Sequence, residues 1–311
     1  MIVTIDVSKD GNRIVFTEIV DSSSDLHRNI CIYDLSKQKI VYRMVSKYDD
    51  FDPRFSNNGK SILYSSRELG DDAHGFVKPA HLYMLNLDTG AIKNITRDSR
   101  RGDSNARFSP DGTKIVFSGY LPESQLFGTT DIYLYDFGTN KVSRLTHNKL
   151  TMVPYPTFFG PDESILINIE NGEKQGVCLA ILRKSKKYKI EPITRIDDPE
   201  YGVLFPYPMP DGKILCTVNN HYNYELSILE KGVFRVLSKS PYCFSSPVFH
   251  ARTNTVFWAS GDVNLFALNL TTNTTRKIAG RELFYGEYAS KGGALNFFQG
   301  LFKRAVGLFH R

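Results

Sequence analysis

Phe108-Ser109-Pro110-Asp111-Gly112-Thr113-Lys114-Ile115-Val116-Phe117 decides how this chain folds. Ser-Pro-Asp-Gly is turn chemistry, because Gly accepts the positive φ of a tight hairpin and Asp bonds its own backbone. The β-branched and aromatic run after it is strand chemistry. The phrase recurs along the chain. Copies are Val7-Ser8-Lys9-Asp10-Gly11 running to Phe16, and Phe55-Ser56-Asn57-Asn58-Gly59 running to Tyr64. Further copies are Phe159-Gly160-Pro161-Asp162-Glu163, Pro208-Met209-Pro210-Asp211-Gly212, and a weak sixth from Phe249 to Phe257. The aligned Gly positions are 11, 59, 112, 163 (Glu), 212 and 253 (Thr), spaced by 48, 53, 51, 49 and 41 residues.

A third strand also repeats: Ile30-Cys31-Ile32-Tyr33-Asp34, Leu82-Tyr83-Met84-Leu85-Asn86, Ile132-Tyr133-Leu134-Tyr135-Asp136 and Leu265-Phe266-Ala267-Leu268-Asn269. Polar turns follow, then alternating fourth strands such as Val142-Ser143-Arg144-Leu145-Thr146. Four-stranded units of about 40–50 residues, stacked around an axis, make a β-propeller. The expectation is an all-β fold of six four-stranded antiparallel blades over residues 1–283. A hinge at 284–293 and an amphipathic basic helix at 294–311 would follow. The chain begins with an innermost strand and reaches an outermost one in blade 6, so no strand is left to lock the ring by swapping. Either packing between blades or residues 281–293 must close it.

Composition sets limits. With 41% hydrophobic and 23% charged residues, the 311-residue chain is not a disordered one. No apolar run approaches the ~20 residues of a spanning helix. The first residues reach Asp6 and Asp10 too soon for a secretory signal, so the expectation is a cytoplasmic protein. Cys31, Cys178, Cys216 and Cys243 lie far apart, without zinc-ligand spacing, which suits reduced structural thiols. The net charge is +6, and half of it sits in residues 281–311. That balance argues against a dedicated nucleic-acid binder, which carries a broad basic face.

At the repeated turn and the Ile-Tyr-x-x-Asp third strand, the chain resembles the TolB-like propellers over about residues 2–280. The resemblance implies the six-bladed fold and a propeller that binds partners rather than catalyses. The sequence shows neither the signal peptide nor the N-terminal α/β domain of TolB. It has no GxSxG motif, which the hydrolases built on similar blades would need.

Propellers bind ligands on the face bearing the loops between blades and between second and third strands. Those second-to-third loops read as long in blades 1 to 3, at Asp21–Arg28, Glu68–Pro79 and Leu121–Thr130, and as short in blades 4 to 6. Long loops in a compact domain are often functional. The densest polar cluster on this wall is Arg67, Glu68, Asp71, Asp72 and His74, joined by Arg100, Arg101, Asp103, His27 and Arg28. Two carboxylates near a histidine could hold a divalent ion or act as acid and base. No spacing rule selects them, so no catalytic residue, metal ligand or cofactor is assigned, and the cluster is read as salt-bridged.

On the opposite side the blade entrances are aromatic. Tyr155, Tyr201, Tyr207 and Tyr242 are candidate partner contacts, since Tyr gives rigid contact area. Phe205 and Phe244 either join them or pack between blades. The basic hairpin Arg183–Lys189 falls on the face away from the funnel and reads as a solubilising tip.

On a helical wheel, Phe297, Phe298, Leu301, Phe302 and Phe309 share one semicircle of 294–311, while Lys303 and Arg304 take the other. At ~1.5 Å per residue the helix would be about 27 Å long, yet its charged face forbids spanning. It suits an anionic membrane surface, a partner's groove, or the propeller itself. Function is therefore expected to be non-enzymatic. A protein or peptide partner would sit in the funnel, and the tail would dock to a membrane surface or an assembly. The alternative is a metal-assisted lyase or hydrolase with its site in the funnel.

Overall fold

The computed structural model describes residues 4–21, 27–70, 78–97, 100–120, 130–147, 155–160, 162–170, 177–183, 189–194, 201–220, 223–241, 243–260, 264–280 and 283. Six four-stranded antiparallel blades span residues 5–44, 48–94, 102–144, 157–192, 201–240 and 245–279. The innermost strands are Ile5–Val7, Tyr48–Phe55, Gly102–Phe108, Thr157–Phe159, Tyr201–Pro208 and Ser245–His250. The six-bladed propeller expected from the repeats is the fold. The amphipathic segment 294–311 lies outside the described residues.

The repeated turn forms by local chemistry. In blades 1 and 3 the Ser8 and Ser109 hydroxyls donate to Asp10 and Asp111 at 2.5 Å. Those carboxylates accept the N–H of Asn12 and Thr113. The bonds hold the Asp111 carboxyl down at about 2. Gly11, Gly59, Gly112 and Gly212 take φ between +69° and +80°, and Glu163 takes the same turn position at +57°. In blade 6 a short 3₁₀ turn, Ala251–Thr253, shifts the left-handed residue to Asn254.

The second strand of each blade has both faces buried, which explains its unbroken apolar runs. Ile14 and Phe16 pack toward blade 6 while Val15 packs toward blade 2. Ile115 and Phe117 pack toward blade 2 while Val116 packs toward blade 4. The buried residues accordingly divide into six clusters, one at each blade interface.

Among the described residues blades 6 and 1 share no strand. Their interface joins Ile5, Ile14, Phe16, Val248, Phe257 and Leu265, with Leu283 buried against them. On the turn face the His250 ring bonds the Lys9 carbonyl through Nε2 at 3.0 Å, and Arg252 donates to the Asp10 carbonyl at 2.6 Å. Side-chain packing thus closes the ring, with one residue from beyond the last strand added to it.

A Cβ on Gly11 would meet His250 Cε1 at 2.5 Å, whereas one on Gly212 would meet nothing within 4 Å. Both substitutions to Ala carry the left-handed backbone penalty of about 1 kcal/mol. Gly212→Ala should lose only that. Gly11→Ala also disturbs the seam and should lose about 2–3 kcal/mol, with denaturant midpoints checking the difference.

Candidate functional site: an arginine arc and the propeller axis

Strand bounds place the long second-to-third connections on blades 2 and 3 only. The gaps between second and third strands are five, twelve, nine, six, two and five residues from blade 1 to blade 6. On blade 1 the strands run on to Asp21 and resume at His27, so the connection is shorter than the expected Asp21–Arg28, and residues 22–26 lie outside the described residues.

On this face, blades 1 to 3 carry arginines held by buried carboxylates. Asp49 is fully buried and accepts Arg28 on both oxygens at 2.7 Å and Arg67 on one of them at 2.9 Å. Arg28 also lies 4.3 Å over the Phe51 ring. Arg101 bonds Asp103 at 3.1 Å and stacks 3.9 Å over Tyr133. Glu68 pairs with Lys78 at 3.0 Å on the exposed rim, and Arg100 is exposed. Of the expected cluster, then, Arg67 and Arg101 are set among buried ion pairs while Glu68 and Arg100 face water. Asp71, Asp72 and His74 lie outside the described residues. Among the described residues no group of three or more His, Cys, Asp or Glu side chains could hold a metal ion.

The aromatic entrances resolve differently from the expectation. Tyr155 does not stand free in the funnel. It packs edge-on against Phe205 at 4.6 Å and lines the axis, where burial pushes its hydroxyl up. Tyr207 also lines the axis and donates its hydroxyl to the Phe249 carbonyl at 3.1 Å, bridging blades 5 and 6. Phe205 and Phe244 are buried, the latter against Trp258. Tyr201 pairs through its backbone with Asn220. Its side chain lies outside the described residues, as does Tyr242.

A second set of residues was not anticipated. In blades 2, 3, 5 and 6 the innermost strand breaks register with a β-bulge. At each break one residue turns left-handed: Asp52, Asn105, Phe205 and Ser246, with φ between +38° and +55°. All four stand seven residues before the turn Gly position, and the residue two further on lines the axis. Those residues are Arg54, Arg107, Tyr207 and Val248. The aligned position in blade 1 is Asp6 and in blade 4 Phe158. The axis is therefore charged on blades 1 to 3 and apolar or aromatic on blades 4 to 6.

Asp52 joins the two axial arginines, taking Arg54 at 2.7 Å and Arg107 at 3.1 Å. Arg54 also donates to the Ile5 carbonyl, across the blade boundary. Burial and the Arg54 charge push the Arg107 guanidinium down from its usual range. Asp6 accepts the Phe55 N–H at 2.8 Å, and burial raises its carboxyl against the pull of Arg54. Burial pushes the Cys31 and Cys243 thiols each up to about 12.

Comparison with known proteins follows this geometry. No family model matches the chain. The Tol-Pal system protein TolB of Helicobacter hepaticus is 25% identical over 157 residues, which is 49% of this chain and 33% of that protein. The crystal structure of TolB from Acinetobacter baumannii superposes with a TM-score of 0.68 at 19% identity, covering 85% of this chain and 63% of that one. An oligogalacturonate lyase in complex with manganese gives 0.59 at 12% identity, covering 89% and 76%. At such identities the likeness to the solved structures is one of fold. The chain spans about a third of the length of the H. hepaticus relative. It is a TolB-like six-bladed β-propeller.

Asp52→Asn should leave two axial guanidiniums facing each other without their shared counter-charge and cost about 3 kcal/mol or more. Asp6→Asn keeps an acceptor for Phe55 and should cost far less. Folding takes up a proton at Asp6 between the ordinary value of 3.8 and the raised one. The contribution of Asp6 to stability is thus present at lower pH and falls as pH climbs through that window. Denaturant midpoints measured against pH should show the falling component vanish in Asp6→Asn.

Proposed function

We propose that this propeller is a non-enzymatic binding scaffold that engages a protein or peptide partner on the face bearing the arginine arc. Support comes chiefly from the arc itself. Arg28, Arg67 and Arg101 are fixed in place by Asp49 and Asp103, so they present donors to a ligand at little further entropic cost. Held this way, they suit carboxylates on a partner, which Arg recognises through its planar fork. The name of the relative points the same way, since the H. hepaticus protein is a component of a Tol-Pal system. The partner's identity is a proposal of class only: a protein surface or peptide with acidic groups.

The amphipathic segment 294–311 is assigned to docking, with Phe297, Phe298, Leu301, Phe302 and Phe309 entering an anionic membrane surface or an assembly and Lys303 and Arg304 facing its charge. The chain would then work in the cytoplasm at a membrane surface.

Two measurements test this. A photo-crosslinker placed at Arg100 or Glu68 should give one discrete adduct in cells, and one placed at Asp111 or Lys213 on the turn face should not. Adducts from the turn face alone would sink the funnel assignment. Sedimentation with anionic liposomes should pellet the full chain and spare one ending at Gly293. Equal pelleting, or none, removes the membrane role and leaves the funnel standing.

A further inference from the structure

A groove of about 450 Å³ opens on the turn face where blade 6 meets blade 1, within the range of small-molecule pockets. One repeat position is emptier here than elsewhere. In every blade a third-strand residue, paired with the apolar run of the second strand, packs toward the blade that follows. It is Ile32, Met84, Leu134, Ile181 and Ile228 in blades 1 to 5, and Ala267 in blade 6. The five long side chains fill the space between neighbouring blades. At the seam a single methyl stands in their place.

We propose that this seam groove binds a small amphiphilic anion, an apolar body of aromatic-ring size carrying one carboxylate. Three observations select that chemistry. The inner lining is apolar, made by Phe257 and Ala267 of blade 6 and Leu35 of blade 1. The single charged side chain of the lining is Arg276, the cross-strand neighbour of Ala267, and it pairs with no carboxylate among the described residues. Its planar fork suits a carboxylate. Most neutral polar side chains of the lining are already bonded within the chain. Ser36 donates to Asp34, Thr253 meets the His250 ring, Thr255 donates to the Thr253 carbonyl, and Asn269 accepts two backbone N–H groups. A sugar would find few free partners there, whereas an apolar body needs none. The bound anion would bridge blades 6 and 1 on the face opposite the arginine arc.

Calorimetric titration of the full chain with 2-naphthoate tests the site, with 2-naphthalenemethanol as the uncharged control. One naphthoate should bind per chain, about tenfold or more tighter than the alcohol. A crystal soaked with it should show the carboxylate on Arg276 and the rings beside Ala267. Arg276 is exposed, so Arg276→Gln should fold normally, weaken naphthoate about tenfold and leave the alcohol unaltered. Ala267→Ile restores the residue of blades 1, 4 and 5. It should abolish binding of both compounds while the denaturant midpoint holds or rises. If that variant fails to fold, Arg276→Gln and the soaked crystal still decide. Naphthoate binding that Arg276→Gln leaves unchanged, or no saturable binding by about 1 mM, overturns the proposal. So does binding about tenfold tighter in a chain ending at Gly293, because the C-terminal segment is then the occupant.

Discussion

Everything else in this molecule depends on the contact between blade 6 and blade 1. The other five interfaces join blades that follow one another in the chain, so their effective concentration is set by a short linker. The seam has no such help and, among the described residues, no shared strand. Its cohesion comes from apolar side chains such as Ile5, Phe16, Val248 and Phe257, with the turn-face bonds of His250 and Arg252. Closing it does more than join two blades. It covers the outward faces of the first and last repeats, which an open array would have to cap with polar surface. That is why the second strands are apolar on both faces even in blades 1 and 6, where Ile14-Val15-Phe16 and Val256-Phe257-Trp258 are all buried.

The closed ring gives the axis its character. Six innermost strands converge, and four of them carry a bulge at the same repeat position, which re-aims the residue two further on toward the centre. Whatever stands there is desolvated together. On blades 1 to 3 it is Asp6, Arg54 and Arg107, with Asp52 between the arginines. Buried charges persist only where they are paired, and removal of one partner is costlier than the pair is worth. The arginine arc above the axis obeys the same rule through Asp49 and Asp103. Charge and rigidity are therefore concentrated on one half of the ring, and aromatic packing on the other.

The fold was legible in the sequence because the turn that repeats is specified locally, by Ser, Asp and Gly within five residues. The third-strand pattern was legible for the same reason. The axis was not, although a signal existed. Counting five residues back from each turn position picks out Asp6, Arg54, Arg107, Phe158, Tyr207 and Val248. Simple strand alternation hides that register, because a bulge inserts one residue and turns every later side chain over. For Tyr207 the bulge of blade 5 sets this register and turns the ring to the axis, while Tyr155 reaches the axis from just before the unbulged strand of blade 4. On blade 1 the connection is shorter than the expected Asp21–Arg28 because charged Asp21, His27 and Arg28 are part of the flanking strands. Glu18 is buried there, held by Arg43 at 2.8 Å.

A propeller of this kind says little by itself about chemistry, since a TolB and a manganese-bound lyase share its outline. What distinguishes this chain is where its charge is fixed. A catalytic site needs groups whose protonation can change near neutral pH, or ligands converging on a metal. Among the described residues Arg28, Arg67 and Arg101 of the funnel face and Arg54 and Arg107 of the axis are paired with buried carboxylates, His27 bonds the Ser46 carbonyl, and Asp6 takes the Phe55 N–H. Guanidiniums locked to buried carboxylates neither exchange protons near pH 7 nor move toward a reacting atom. They suit recognition of a shape and a charge that another molecule brings, which is the reading proposed for this face.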